Sequence, residues 1–377
     1  MPATPSLDGL RAVAIVVVAL FHFPTHAVVV GGLVGVGVFF VLSGFLVTSL
    51  LTSEYSQRDT IVLRRFAGRR AWRLLPALLA FLAVFVVADA AFGSTPWFAS
   101  TPFGRGAGRP VTLVQAVTGV GASITYTFNF FLAHSVHMAS PLGHLWTLSV
   151  EGQFYLLWAL VVLVLVRRGP RALFAGTLAM AAASALLPFL WWHGGSGENL
   201  IYFATLPRLQ QLLAGSALAQ LWSLGKLRRL PGWLLRGGAV AGAGVLGVLA
   251  FEMGNTEFKY LGSFTVVAAA SCPIVLCLVA ARGRCVGRQL LGSRPLVWLG
   301  RRSYAMYLWH WPLAEWTNLM PHAIGITLGL ALSVVAADLS WRLVEQPSLR
   351  LSRRLAEQRM ASRSTRPSPA IWPPARP

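Results

Sequence analysis

The chain has 377 residues, of which 55% are hydrophobic and only 12% are charged, and its formal net charge is +20. Soluble domains carry about 25% charged residues, so this composition excludes an ordinary soluble protein and indicates an integral membrane protein. The same positive charge would suit a nucleic-acid surface, but the positions of the basic residues, given below, exclude that class.

Ten apolar segments, each near the length that spans a membrane, follow one another along the chain. They lie at residues 10–30, 32–52, 74–92, 145–166, 172–192, 201–222, 237–252, 264–281, 298–318 and 324–341. Residues 111–132 are apolar enough for a surface or re-entrant helix, and their sequence leaves open whether they cross the membrane. The sequence therefore predicts an all-α, polytopic membrane bundle of about ten transmembrane helices.

Basic residues concentrate in alternate loops of this predicted bundle. Of the 32 lysines and arginines, 27 lie in segments 53–73, 167–171, 223–236, 282–302 and 342–377. Because Lys and Arg are enriched in cytoplasmic loops, these segments and both termini are predicted to be cytoplasmic. The excess of arginine over lysine is typical of a GC-rich bacterial genome, so we expect a multi-pass protein of a bacterial plasma membrane.

Two predicted domains follow from this pattern. Residues 1–348 form the transmembrane domain, and residues 349–377 form a basic tail that contains Pro and Ser and is predicted to be cytoplasmic and largely disordered. The three cysteines have neither disulfide-framework nor metal-ligand spacing, so no metal is expected.

The first apolar segment carries two ionisable residues, Arg11 and His22. Eleven residues of helix return His22 to within about 20° of Arg11 and place it about 16 Å further along the axis. Ionisable groups inside a membrane helix are costly and by default mark a site or a pathway. We interpret the pair as a site of proton or acyl chemistry inside the bilayer.

The loop before the third segment is rich in arginine. It holds Arg64, Arg65, Arg69, Arg70 and Arg73, and the last two share a face if this stretch is helical. One interpretation is that the arginines only set the membrane topology and contact lipid headgroups. The alternative is an anion site, because arginine forks bind phosphates bidentately. Coenzyme A is cytoplasmic and carries several phosphates, so it would suit such a site.

Two later segments add polar residues at membrane depth. His144 and Glu151 are two helical turns apart and share one face, with Glu151 about 10 Å deeper. Glu151 needs a partner there, either Arg208 in a structural pair or a histidine that it orients or charges. His310 lies among Trp and Tyr residues, where a histidine can be a residue of the aromatic belt or part of a site.

Five motifs appear along the chain in a fixed order: LDGLRAVAIVVVALFH, GVFFVLSGFLVT, RRAWRLLPAL, HLWTLSVEGQFYLLW and SYAMYLWHWPL. With these motifs the chain resembles the acyltransferase family 3 membrane proteins over residues 6–348. The arginine and histidine of that family's first helix correspond to Arg11 and His22. Its later arginine pair corresponds to Arg70 and Arg73.

The histidine and glutamate that precede the family's aromatic QFY motif correspond to His144 and Glu151. The family moves acyl groups, commonly acetyl from acetyl-coenzyme A, onto hydroxyls of sugars, envelope polymers or secreted small molecules. Three positions depart from its pattern: Gly37 and Gly152, where acidic residues are usual, and Gln346, where a basic residue often follows Glu345. These departures bear on the acceptor and the local charge more than on the chemistry.

The resemblance and the residues together imply a membrane O-acyltransferase. Acyl transfer to an alcohol needs a base or a nucleophilic carrier, and histidine can act as either near neutral pH. The expected catalytic residues are His22, Glu151 and Arg11. The expected binding residues for acyl-coenzyme A, a co-substrate rather than a tightly bound cofactor, are Arg11, Arg69, Arg70 and Arg73. The expected substrate-binding residues are His144, Trp146, Tyr304 and His310.

The acceptor is expected to be a carbohydrate, a glycolipid or a secreted small molecule such as a macrolide, and the other partners are membrane lipids, with no nucleic acid. An alternative is a proton-coupled transporter or flippase of a glycan or lipid precursor, without covalent chemistry. Discontinuous helices and inverted repeats would favour a transporter, and the sequence displays neither. A sensor or scaffold that has lost activity is a further alternative, against which the intact Arg11 and His22 argue.

Overall fold

The computed structural model describes residues 4–23, 29–92, 112–135, 140–194, 197–227, 229–252, 256–280, 283, 285–317 and 320–364. All regular elements in these ranges are helices. The first seven are α1 (Pro5–His22), α2 (Gly32–Arg58), α3 (Leu63–Phe92), α4 (Leu113–Ile124), α5 (Phe128–Ala133), α6 (Trp146–Val166) and α7 (Pro170–Trp191).

The remaining helices are α8 (Glu198–Phe203), α9 (Thr205–Ser223), α10 (Gly232–Phe251), α11 (Thr256–Leu261), α12 (Ser263–Ala280), α13 (Val286–Leu291), α14 (Arg294–Arg301), α15 (Ser303–Thr317), α16 (His322–Ser340) and α17 (Gln346–Ser364). A 3-10 helix at Ser140–Leu145 leads into α6. A π-helical turn at Trp341–Glu345 joins α16 to α17.

The predicted all-α membrane bundle is confirmed. Eight described helices are long and apolar enough to cross a membrane: α1, α2, α3, α6, α7, α10, α12 and α16. The other two predicted spans correspond to α9, which carries Arg208 and three glutamines, and to α15, which has only 15 residues. The count of ten spans and the side of the termini stay predictions.

The first helix differs from its predicted bounds of 10–30. It begins at Pro5 and ends at His22, so His22 is its last residue rather than a residue in its middle. Proline is well tolerated in the first turn, which explains the early start. The sequence has another proline at position 24, and helices usually end before a proline.

Two other segments whose structure the sequence left open or predicted to be disordered contain helices. Within 111–132 the chain folds into α4 and the beginning of α5, and the 12 residues of α4 are too short to span a bilayer. The predicted domain boundary at 348 lies inside α17, which continues to Ser364. Residues 365–377 of the predicted tail lie outside the described residues.

Helix α2 lies at the centre of the bundle, packed against α1, α9 and α12. Glycines make its close contacts with α9: a Cβ on Gly44 would collide with the carbonyl oxygen of Leu212, and one on Gly215 with that of Val41. Small residues at helix interfaces let backbones approach closely within membranes. This packing holds α2 and α9 in register and so positions the polar side chains that α2 carries.

The arginine distribution predicts the orientation of the loops. Reporter domains fused after Arg58, Arg168, Arg229, Arg288 and in the tail are expected to report a cytoplasmic location. Reporters fused near Arg105, Gly195 and Asn255 are expected on the outer side. A cytoplasmic signal at Arg105 would contradict the ten-helix arrangement.

The close contact at Gly44 predicts that adding even one methyl group at this position lowers the stability of the protein. Gly44→Ala forces the α2 and α9 backbones apart, and we expect it to lower the free energy of unfolding in detergent by about 1–3 kcal/mol. Gly244→Ala in α10 is the matched control, because a Cβ there meets nothing within 4 Å. Equal stability of the two variants would show that the close contact is not required.

Candidate active site

A basic cleft of about 450 Å³ opens where the start of α1 meets the C-terminal half of α2 and the start of α3. Six arginines line this arginine cleft: Arg11, Arg58, Arg65, Arg69, Arg70 and Arg73. Its acidic lining residues are Asp8 and Glu54. The lining therefore carries an excess of positive charge, which attracts anions.

The acidic residues each engage one arginine of the cleft. Arg69 Nη2 donates to Glu54 Oε2 at 2.9 Å, and Arg11 Nη1 lies 3.6 Å from Asp8 Oδ1. The guanidinium of Arg70 lies over the ring of Tyr155, 4.8 Å from its centroid. All four residues predicted to bind coenzyme A line this one cleft, whereas Arg64 is not among the lining residues.

Beside Arg70, a buried hydroxyl pair surrounds the carboxylate of Glu151. Ser43 Oγ donates to Glu151 Oε1 at 2.6 Å, and the Tyr155 hydroxyl donates to Oε2 at 3.0 Å. Hydrogen bonds from hydroxyls to a carboxylate are the strong, charge-assisted kind. The structure thus provides partners for Glu151, but they are neither Arg208 nor a histidine. Its expected catalytic role stays a prediction.

A second group of polar side chains lies at the opposite end of α1. This histidine cluster consists of His22, His144, His310 and Trp311, contributed by α1, the 3-10 helix and α15. His22 Nδ1 lies 3.2 Å from His310 Nε2. The rings of His144 and Trp311 are stacked with centroids 5.8 Å apart, and Trp311 meets His22 edge-on at 4.5 Å.

Hydrogen bonds to backbone carbonyls fix the orientation of two of these rings. His310 Nδ1 lies 2.7 Å from the Tyr307 carbonyl oxygen and 3.2 Å from that of Met306. Because a carbonyl only accepts, Nδ1 carries a proton, and Nε2 of the neutral ring accepts from His22 Nδ1. His310 is fully buried, which does not fit a lipid-facing residue of the aromatic belt.

The sequence around His310 also explains how His144 is held. His144 Nε2 lies 3.1 Å from the carbonyl oxygen of Leu308. Within a helix that oxygen would accept from the N–H four residues later, but position 312 is a proline, which has none. Pro312 therefore leaves the Leu308 carbonyl available for the His144 ring.

The two remaining predicted substrate residues have other neighbours. The Tyr304 hydroxyl donates to the carbonyl of Leu74 in α3 at 2.9 Å. Trp146 packs against Tyr202 and lies 5.0 Å from the guanidinium of the fully buried Arg208. Neither contact belongs to the histidine cluster, and the roles of Trp146 and Tyr304 stay predictions.

Sequence reasoning did not identify Ser43, Tyr155 or Trp311 as part of the site. Tyr155 lies four residues after Glu151 and so shares its helix face, a signal that was present in the sequence. Ser43 had no such signal, because its contact with Glu151 joins residues 108 positions apart. The described residues hold no group of three or more His, Cys, Asp or Glu side chains that could bind a metal ion.

Comparison with known proteins identifies the family to which the chain is similar. The family model of an acyltransferase domain, acyltransferase family 3, matches residues 4–342. The chain is 29% identical to the peptidoglycan O-acetyltransferase OatA of Listeria monocytogenes over 362 residues, covering 91% of this chain and 55% of that protein. It is 31% identical to the O-acetyltransferase OatA of Staphylococcus aureus over 363 residues, covering 91% of this chain and 57% of that protein.

The chain thus spans a little more than half the length of these curated relatives. No solved structure matches it. The family match includes α1 to α16, and with them both the arginine cleft and the histidine cluster. The chain therefore belongs to acyltransferase family 3, a family of multi-pass membrane proteins.

Proposed function

We propose that this chain is a membrane O-acyltransferase that moves an acetyl group from acetyl-coenzyme A to a hydroxyl of a cell-envelope glycan. The observation that carries the proposal is the pairing of an arginine-lined cleft with a histidine cluster at the two ends of α1. The first suits a polyphosphate donor and the second suits proton or acyl transfer. The relatives are O-acetyltransferases, which supports the reaction, and the Listeria monocytogenes relative acts on peptidoglycan, which supports the acceptor class.

The donor would bind through its phosphates. Several arginines of the cleft lie within one helical stretch at the start of α3, where their planar forks can contact neighbouring phosphate oxygens. Arg11 reaches the same cleft from α1 and ties the donor site to the helix that ends in His22. The acyl end of the donor would then extend along α1 towards the histidine cluster.

His22 would act as the base or the acyl carrier. It is the one described ionisable side chain between Arg11 and Glu54, and it stands on the same helix as Arg11. As a base it would take the proton of the acceptor hydroxyl, and as a carrier it would hold the acyl group between donor and acceptor. Its ring is half-buried at the edge of the cluster, where an acceptor would approach it.

The proposal is tested with the purified full chain in lipid vesicles. Radioactive acetyl-coenzyme A is supplied with soluble peptidoglycan fragments, and transfer is measured as alkali-labile label on the glycan. Ester formation is expected. Vesicles that move labelled glycan or lipid precursor across the bilayer without forming an ester would instead support the transporter.

The arginine cleft predicts a selective effect on the donor. Arg70→Ala and Arg73→Ala are expected to raise the KM for acetyl-coenzyme A about tenfold or more, with a smaller effect on kcat. Contacts to phosphates remote from the reacting thioester contribute mainly uniform binding. Steady-state kinetics at varied donor concentration measure both constants.

Arg64→Ala is the matched control for these two variants, because Arg64 belongs to the same basic stretch but does not line the cleft. Its KM should stay near that of the wild type. An unaltered KM in Arg70→Ala and Arg73→Ala, or an equal rise in Arg64→Ala, would contradict the phosphate site.

The His22 assignment predicts a loss of chemistry without a loss of donor binding. Loss of a positioned base typically costs 10²–10⁴ in rate, equivalent to about 3–5 kcal/mol of barrier. His22→Ala should lower kcat by about that factor and leave the affinity for acetyl-coenzyme A unchanged. His134→Ala is the control, since His134 is an exposed histidine at the end of α5.

Rapid-quench labelling with radioactive acetyl-coenzyme A separates the two roles of His22. Label retained on the wild-type protein and absent from His22→Ala indicates an acyl-histidine, and its absence from both indicates direct transfer. A His22→Ala variant that acylates the glycan at a rate close to the wild type would show that another residue carries the chemistry.

A further inference from the structure

His144 has one ring nitrogen engaged and the other unengaged. Its Nε2 lies 3.1 Å from the Leu308 carbonyl oxygen, so Nε2 carries the proton and donates it. In the neutral ring Nδ1 must then carry the lone pair. This Nδ1 is buried and has no hydrogen-bond partner among the described residues.

Its neighbour His310 differs in this respect. His310 donates from Nδ1 to backbone carbonyls of its own helix, and its Nε2 faces His22 Nδ1. Both nitrogens of His310 are thus occupied within the protein. Buried polar atoms are almost always hydrogen-bonded, so an unpaired basic nitrogen inside a histidine cluster calls for an explanation. A substrate hydroxyl that donates to it would provide one.

The surroundings of His144 suit an acceptor that carries a hydroxyl on a ring. The indole of Trp311 stacks on His144 and also meets His22, and both Trp311 and His22 are only half-buried. Gly143, beside His144, is also half-buried and lies near the Trp311 ring. The cluster therefore reaches the protein surface at an aromatic edge, and indoles provide a large apolar face.

We propose that His144 is a second catalytic residue of the acyl transfer, with Nδ1 accepting the proton of the acceptor hydroxyl. This inference rests on the proposed function. The hydroxyl oxygen bonds to the acyl carbonyl carbon as its proton moves to Nδ1. The bond from that carbon to its leaving atom breaks, whether this is the sulfur of coenzyme A or a nitrogen of His22. The proton then passes from His144 to the leaving atom, which restores the neutral ring.

The Leu308 carbonyl is the orienting group in this arrangement. A base must present the correct ring nitrogen, and a hydrogen bond at the opposite nitrogen sets which one is protonated. In serine proteases an aspartate performs this task for the catalytic histidine. Here a backbone oxygen made available by Pro312 performs it. In the acyl-carrier route His22 then holds the acyl group while His144 takes the proton, and in direct transfer His144 takes the place of His22 as the base.

Two substitutions distinguish a role of His144 as a base from a role in packing alone. His144→Gln retains an amide able to donate to the Leu308 carbonyl but has no base, and His144→Ala leaves space for a small molecule. Both are expected to lower kcat for the glycan by about 10² or more. The KM for acetyl-coenzyme A should stay within twofold, because the arginine cleft lies at the other end of α1. Added imidazole should raise the kcat of His144→Ala at least tenfold and leave that of His144→Gln unchanged.

The results have distinct readings. Wild-type protein without acyl transfer overturns the proposed function, whereas an active wild type with His144→Gln within threefold of it overturns only the role of His144. A loss in both variants that imidazole does not relieve shows a structural role and also overturns the inference. If His144→Gln fails to bind acetyl-coenzyme A, His144→Asn is judged by the same criteria.

Discussion

One uninterrupted helix determines how far apart the two halves of the site lie. Arg11 and His22 both belong to α1, so the arginine cleft and the histidine cluster are separated by about 16 Å of rigid backbone. Close backbone contacts prevent α1 from shifting: a Cβ on Gly9 would collide with Leu291, one on Gly35 with Ala14, and one on Gly300 with Asp8. On the proposed function, a donor bound at one end would have to be long enough to present its reactive group at the other, a length that coenzyme A has.

Two ionisable side chains in the polar interior of the bundle, Glu151 and Arg208, have local partners. An isolated charge inside a membrane protein is expensive. Two hydroxyls satisfy Glu151, while Arg208 donates from Nε to the Tyr202 carbonyl at 2.8 Å and lies against aromatic rings. The Arg208 guanidinium is 3.7 Å from the Phe264 ring centroid, and this cation–π interaction compensates for the loss of hydration. The contacts of the histidine cluster include aromatic rings and backbone carbonyls.

Sequence reasoning succeeded where the relevant contacts are local. The helices follow from apolar run length, and the grouping of Arg69, Arg70 and Arg73 follows from their spacing on one helix. It could not bring His22 and His310 together, because they are 288 residues apart and their contact depends on how α1 packs against α15. The apolar run also misplaced the end of α1, since such a run does not reveal where a helix stops within it. The two partners of Glu151 show the same difference between local and distant contacts: Tyr155 lies on the same helix as Glu151, whereas Ser43 lies on another.

The hydrogen bond between His144 and the Leu308 carbonyl would escape detection in a mutational scan of side chains. The contact belongs to the main chain, and every residue type at position 308 would supply the same oxygen. An alanine scan would therefore record Leu308 as unimportant and would miss the atom that selects the histidine tautomer. Only a change at the proline four positions later reaches that oxygen, because a restored amide hydrogen would compete for it. The proposed role of His144 thus depends partly on Pro312, a residue whose contribution is the amide hydrogen that it lacks.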